Sequence, residues 1–221
     1  MNEARVLSIQ VGKPTTFSGA DSLDPMNNPW TTGIFKTTFD GPIWLGKFNL
    51  DGDGQADLSV HGGQHKAVNV YPSEHYPYWK QDLHLLDMSS GAFGENFTTQ
   101  NLLEEEVCIG DIFKVGEAVV QVSQPRQPCW KLSCRWKIED LATRVQQTGK
   151  TGWYFRVLQE GFVEAGIDLI LTERPFPQWT IGTANRIMHH RKTDFAAAQV
   201  LAQCPALSPR WQESLLKWVP K

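Results

Sequence analysis

The sequence predicts a mainly β protein, a barrel or a curved mixed sheet with a few inserted helices, ending in a small helical tail. Three observations carry this. Short β-prone runs broken by Gly and Asp recur through the first 175 residues, a pattern unlike the strand–helix alternation of a doubly wound sheet. The last stretch has helical spacing instead. The charge also changes in kind near Pro175 and Pro177: residues 178–221 carry a net +4 and residues 1–177 a net −7. The expected division is a body over residues 1–175 and a three-helix unit over residues 176–221.

Residues 5–11 alternate weakly and read as a strand. Residues 12–32, rich in Pro, Gly, Ser, Thr and Asn, read as one long irregular segment of a kind that is often functional. Residues 34–39, 41–45, 57–60 and 67–71 are short strand candidates. Ser73 is the expected cap of a helix reaching residue 86. Residues 106–108, 112–115 and 118–123 read as further strands. Residues 130–147 read as one helix, with Ile138, Leu141 and Val145 in register and Gly149 as its stop. Residues 153–158 and 167–171 read as a strand pair flanking the Glu160-Gly161 turn. In the tail, residues 180–190, 194–204 and 209–219 are helical. The last of these has Ser208 as N-cap, Pro209 in the first position, and Trp211, Leu215 and Trp218 on one face.

The 221 residues carry a net charge of −3, which excludes a global electrostatic grip on nucleic acid or an anionic membrane. The tail has no dense basic stripe for nucleic acid either. Four cysteines are too sparse for a disulfide scaffold, and no apolar run reaches the length of a membrane span or a signal peptide. The expectation is a cytoplasmic protein with free thiols. Exposed members of its nine tryptophans would suit a homodimer contact.

Four constellations could carry chemistry. Asp51-Gly-Asp-Gly-Gln-Ala-Asp57 invites a calcium-loop reading, but position six is Ala56 and position twelve is Gly62, so a tight turn is preferred. His61-Gly62-Gly63-Gln64-His65-Lys66 can expose backbone N–H groups to an anion, with Lys66 adding charge. It lacks the ending of a Walker motif, and its two histidines lack a third metal ligand. Taken alone it is a hairpin turn first and an anion site second. Cys129, within Gln124-Pro-Arg126-Gln-Pro-Cys-Trp-Lys131, follows a strand and opens a helix; Arg126, Lys131 and Arg135 nearby favour its thiolate. That suits a nucleophile, a sulfur carrier or a soft-metal ligand, against the plain alternative of a buried apolar cysteine. Cys134 is too far along for a CxxC pair, and Cys108 and Cys204 read as core. Glu95 and Asn96, on the Gly91–Thr99 loop, could hydrogen-bond a heterocycle or phosphate. His189-His190-Arg191-Lys192 reads as a basic helix end that complements the helix dipole.

Taken in order, Lys36, Gly-Asp-Gly-Gln-Ala-Asp leading to His61-Gly-Gly, Tyr71, Gly94-Glu-Asn-Phe-Thr, Ile109-Gly-Asp and Pro125-Arg-Gln-Pro-Cys129 resemble the MOSC domain family across residues 30–170. The tail is similar to the helical domain of its YiiM-type branch. The resemblance implies a MOSC β-barrel related to the pyruvate-kinase β-domain. It also implies binding of the molybdenum cofactor and reduction of N-hydroxylated compounds, N-hydroxylated purine base analogues among them. On that reading Cys129 ligates molybdenum. Lys36, His61, Gly62, Gly63, Lys66, Asn96, Gln124, Arg126 and Lys131 bind the cofactor, and Tyr71 and His75 border the substrate. The alternative is a persulfide carrier acting through Cys129. The chain has no room for a pyridoxal-phosphate desulfurase and no flavin or iron–sulfur motif, so a reductase of this kind needs an external donor, expected to be an acidic flavoprotein docking on the basic tail.

Overall fold

The computed structural model describes residues 3–18, 29–190 and 194–219. The first strands are β1 (Arg5–Val11), β2 (Thr15–Phe17), β3 (Trp30–Thr32), β4 (Thr37–Phe39) and β5 (Ile43–Leu45). Then come α1 (Leu58–His61), β6 (Val68–Pro72), α2 (Tyr76–Leu83) and β7 (Phe97–Gln100). β8 (Ile112–Val115) and β9 (Ala118–Pro125) form a hairpin, followed by α3 (Trp130–Trp136) and α4 (Leu141–Thr148). β10 (Trp153–Gln159), β11 (Gly161–Val163) and β12 (Leu169–Glu173) complete the strands. The tail holds α5 (Ile181–Asn185) with a π-helical turn (Arg186–His190), α6 (Phe195–Ala202) and α7 (Pro209–Leu216).

Eight strands make one mixed sheet in the order β12-β8-β9-β10-β6-β7-β1-β4, with β6–β7 its parallel pair. The sheet curls back on itself. The approach to β12 bonds β1 through Val6 N to Ile167 O (2.9 Å), Gly166 N to Val6 O (2.7 Å) and Leu169 N to Ala4 O (2.8 Å). The expected barrel is therefore a curled sheet joined by a short seam, not a fully laddered ring. Every second side chain of the buried strands points inward, and Val6, Ile9, Val70, Phe97, Phe113, Val120 and Phe155 fill the interior.

The tail shares that core. Leu201, Leu207, Trp211 and Leu215 belong to the same apolar cluster as Val120 and Val122. Ser208 caps α7 as expected and also ties it to the end of β9: its N–H donates to Ser123 O (3.0 Å) and its Oγ to Gln124 Oε1 (2.7 Å). A second cluster, including Tyr71, Trp79, Phe93, Leu132, Leu141 and Val145, gathers α2, α3 and α4.

Several elements depart from the sequence reading. Residues 57–60 are not a strand, because Asp57 accepts from Ser59 N (3.0 Å) and caps α1. The helix expected over residues 130–147 breaks at Lys137, whose φ of +55° turns the chain and whose N–H returns to Cys134 O. Residues 73–75 form a 3-10 turn, so α2 starts three residues after Ser73, at Tyr76. Residues 106–108 make only an isolated bridge, Cys108 with Thr180. β10 pairs with β6 and β9 while β12 pairs with β8, so the two are not partners. β7 lies where a loop was expected. β2 and β3 pair within the supposedly irregular 12–32 segment, of which residues 19–28 lie outside the described residues. Arg191 and Lys192 of the basic helix end lie outside them too.

Candidate functional site

Cys129 sits where the extended stretch after β9 turns into α3. Its φ of −121° and ψ of 168° make it the N-cap, and it is half-buried, whereas Cys108, Cys134 and Cys204 are buried. All four are free thiols. Cys129 opens onto a cleft enclosing about 640 Å³, open mouth included. One wall comes from Thr32, Gly33, Ile34, Lys36 and residues 54–56, another from His61 and Lys66, and the floor from Asn69, Phe93, Gly94 and Asn96; Arg126, Gln127, Lys131 and Tyr154 line the cleft with the thiol.

The charges of this cleft are not balanced. The Lys36 side chain is buried and ion-paired with Asp53, which also accepts from Gly12 N (3.0 Å) and Asn96 Nδ2 (2.9 Å). Burial lowers the Lys36 ammonium, opposed by Asp53. Among the described residues, Lys66, Arg126 and Lys131 have no carboxylate within ion-pair distance. Their effect reaches His61, which burial and then Lys131, Lys66 and Arg126 hold at about 4, so its imidazole is neutral at pH 7. Lys66 is itself pulled down to about 8 by burial and by Arg210, and its ammonium donates to Val60 O. Arg126 donates from its backbone to Gly152 O (3.1 Å) and from Nη2 to Phe93 O (2.6 Å). Its Nη1 is buried and unpartnered, as is Asn69 Oδ1. A buried donor of this kind, on a cation, is costly unless something binds to it.

Other expected residues take different places. Asn96 borders the cleft but spends its amide on the fold: Oδ1 accepts from Asn69 N (3.0 Å) and Nδ2 also donates to Gln10 O (3.2 Å). Gly62 and Gly63 shape the turn between His61 and Lys66 without bordering the space; Gly63 needs glycine for its φ of +91°. Gln124 lies outside the cleft, on the adjoining space, and is engaged by Ser208. Arg135 turns away from the thiol to the carbonyls of Ile34 and Gly91, both at 2.6 Å.

Tyr71 and His75 correct the sequence reading most. Tyr71 is fully buried, stacked on Phe93 with ring centroids 4.2 Å apart, and its hydroxyl donates to Lys150 O (3.1 Å) and accepts from Trp79 Nε1 (2.6 Å). The turn after Pro72 carries His75 to another cavity, where its Nε2 meets Glu104 Oε2 at 2.8 Å. Glu104 Oε1 in turn accepts from Gly152 N (2.7 Å). Neither residue borders the Cys129 cleft. Sequence reasoning missed Asn69, Phe93, Gln127 and Tyr154. Only Asn69 carried a signal, as a polar residue inside an otherwise apolar, fully buried strand.

No group of three or more His, Cys, Asp or Glu converges among the described residues, so they build no metal cage of their own. The site offers one soft thiol, an unpartnered guanidinium N–H and an excess of positive charge. That donor set fits a metal arriving inside an anionic organic group that supplies the remaining ligands, as the molybdenum cofactor does.

Residues 57–169 match the MOSC domain, and residues 179–221 match the YiiM-like 3-alpha helix domain. The chain belongs to the MOSC family. It is 46% identical over 212 residues to YflK of Bacillus subtilis (strain 168), spanning 96% of this chain and 93% of that one. It is 38% identical over 203 residues to YiiM of Escherichia coli (strain K12), spanning 91% and 89%. A protein of Gibberella moniliformis named reductase is 39% identical over 182 residues, spanning 80% of this chain but 31% of that longer one. The crystal structure of YiiM from Geobacillus stearothermophilus, 40% identical, superposes with a TM-score of 0.82 over 98% of this chain and 100% of that one. This is the MOSC body with the YiiM-type helical domain. No helix among the described residues is long and apolar enough to cross a membrane.

Proposed function

We propose that this MOSC protein is a molybdenum-cofactor-dependent reductase of N-hydroxylated compounds, N-hydroxylated purine bases among them. The observation that carries the reading is the half-buried Cys129 thiol sharing a cleft with the unpartnered Nη1 of Arg126. Bound there, the cofactor supplies a two-electron redox centre. The chain's own residues do the rest. Cys129 Sγ offers a soft ligand to the metal. Arg126 Nη1 and the Lys131 ammonium meet the cofactor's phosphate, and Asn69 Oδ1 accepts from a pterin N–H. Lys36, neutralised by Asp53, fixes the wall that carries it. His61, kept uncharged by burial and by its cationic neighbours, can hold a proton at a ring nitrogen in the same cleft as the thiol.

Conversion of N–OH to N–H consumes two electrons and two protons and releases water. The electrons come from an external flavoprotein. The likeness to a longer protein named reductase supports the redox reading. The free thiols suit a reducing cytoplasm.

The test is protein made in a host that assembles the cofactor. Elemental analysis should find molybdenum, and the protein with an artificial electron donor should reduce an N-hydroxylated purine. Cys129→Ala should lose both. Metal retained by the variant overturns the ligand assignment; molybdenum-loaded wild type that reduces no N-hydroxylated substrate overturns the reductase. A sulfur-sized mass increment on Cys129 in such inactive protein supports a persulfide carrier instead.

A further inference from the structure

A second chamber of about 760 Å³, open mouth included, lies beyond Cys129. His61, Lys66, Gln127, Cys129 and Tyr154 border both spaces, so the thiol stands on a shared wall. The far wall is built by the tail, from Met188, Arg210, Trp211 and Ser214. Arg210 borders only this second space, and Arg126 only the first.

Two cations face the chamber. Arg210 is exposed and donates from Nη1 to Ser59 O (3.0 Å); Lys66 donates to Val60 O. Among the described residues, neither has a carboxylate within ion-pair distance. Arg210 is close enough to lower the Lys66 ammonium, an unfavourable pairing that a shared anion would reverse. An arginine fork beside a lysine point charge is the equipment for a phosphate monoester. Met188, Trp211 and Pro128, all buried, close the apolar back of the chamber.

We propose that this chamber receives the phosphate of the substrate, so that the protein prefers N-hydroxylated nucleotides to the corresponding nucleosides and free bases. The tail thereby becomes part of substrate recognition. The chemistry of the preference rests on the reductase reading above; the phosphate site does not.

Two measurements on protein from the cofactor-assembling host separate these. In the first, calorimetry compares adenosine monophosphate with adenosine. The monophosphate should bind about tenfold tighter or better, and Arg210→Gln should remove about tenfold of its affinity while leaving adenosine within about twofold. Arg210→Lys should keep part of the preference, and unchanged melting curves would show that both variants fold. Equal affinities in the wild type, or a preference that survives Arg210→Gln, overturns the inference. So does a preference seen only in protein lacking molybdenum, which would give the anion site to the cofactor. In the second, KM is compared for N-hydroxylated adenine, its nucleoside and its monophosphate. Turnover without a lower KM for the monophosphate sinks the inference and spares the reductase. Arg210-dependent monophosphate binding without any turnover does the reverse.

Discussion

The Cys129 cleft and the His75 cavity are both lined by ionisable side chains, but they are finished in opposite ways. Around His75 each carboxylate has a partner: Glu104 meets His75 at 2.8 Å and Glu105 meets Arg186 at 2.6 Å. Among the described residues, Lys150 also borders that cavity without a carboxylate but sits over the Tyr78 ring, and Asn185 Oδ1 is a buried acceptor left without a partner. Around Cys129 one pair closes, Lys36 with Asp53, and three cations remain without a carboxylate among the described residues. A buried pair that satisfies itself is architecture; charge left open beside a reachable thiol is capacity for a ligand. The YiiM-type resemblance placed His75 and Tyr71 with the chemistry, whereas the geometry gives His75 to the self-satisfied group and Tyr71 to the aromatic packing behind the cleft.

Breaking each region should therefore give different signatures. The largest effect is expected from Cys129→Ala: loss of molybdenum and of reductase turnover beyond the roughly 10–100-fold typical of outer-shell changes, with little change in melting temperature because the side chain is only half-buried. Glu104→Ala should do the opposite. It strands His75 and the Gly152 N–H, costing about 3 kcal/mol in denaturant unfolding, while the molybdenum content of the surviving folded protein holds. If His75→Ala abolished turnover at unchanged stability and metal content, the division between the two regions would fail. Arg126→Gln should lower cofactor retention by about tenfold, measured as molybdenum per chain after dialysis. The smallest effect concerns pH. Folding holds His61 at about 4, below its ordinary 6.5, so between these values the unfolded chain binds the proton that the folded one refuses. That contribution is whole above pH 6.5 and lost as pH falls towards 4. Urea unfolding at pH 7 and pH 5 should show a smaller loss for His61→Gln than for the wild type.

Much of this was legible in the sequence, where local signals decide local structure. β1, the β8–β9 hairpin and α7 with its Ser208-Pro209 start follow from alternation, turn residues and capping. Lys36, His61, Lys66, Arg126, Cys129 and Lys131 were named from residue chemistry and resemblance, and they do border one cleft. The failures share a cause. Asp57 and Lys137 changed the backbone through a cap and a left-handed turn that periodicity does not encode. β7 was invisible because it pairs in parallel with β6, a partner that no short turn announces. Gln124 and Asn96 carry the right polar groups for a ligand, yet Ser208, Gln10 and Asp53 reach them from distant parts of the chain.

Gly152 bridges the two regions: its N–H is held by Glu104 and its carbonyl holds the backbone of Arg126. Its φ is +68°, and a Cβ there would collide with Val70 O. A residue with no functional group thus anchors the backbone that carries Arg126. Random mutagenesis scored by the reductase activity proposed above should therefore flag position 152 among its most sensitive sites. Naive mapping of such data would draw the active centre about a glycine that does not border the cleft.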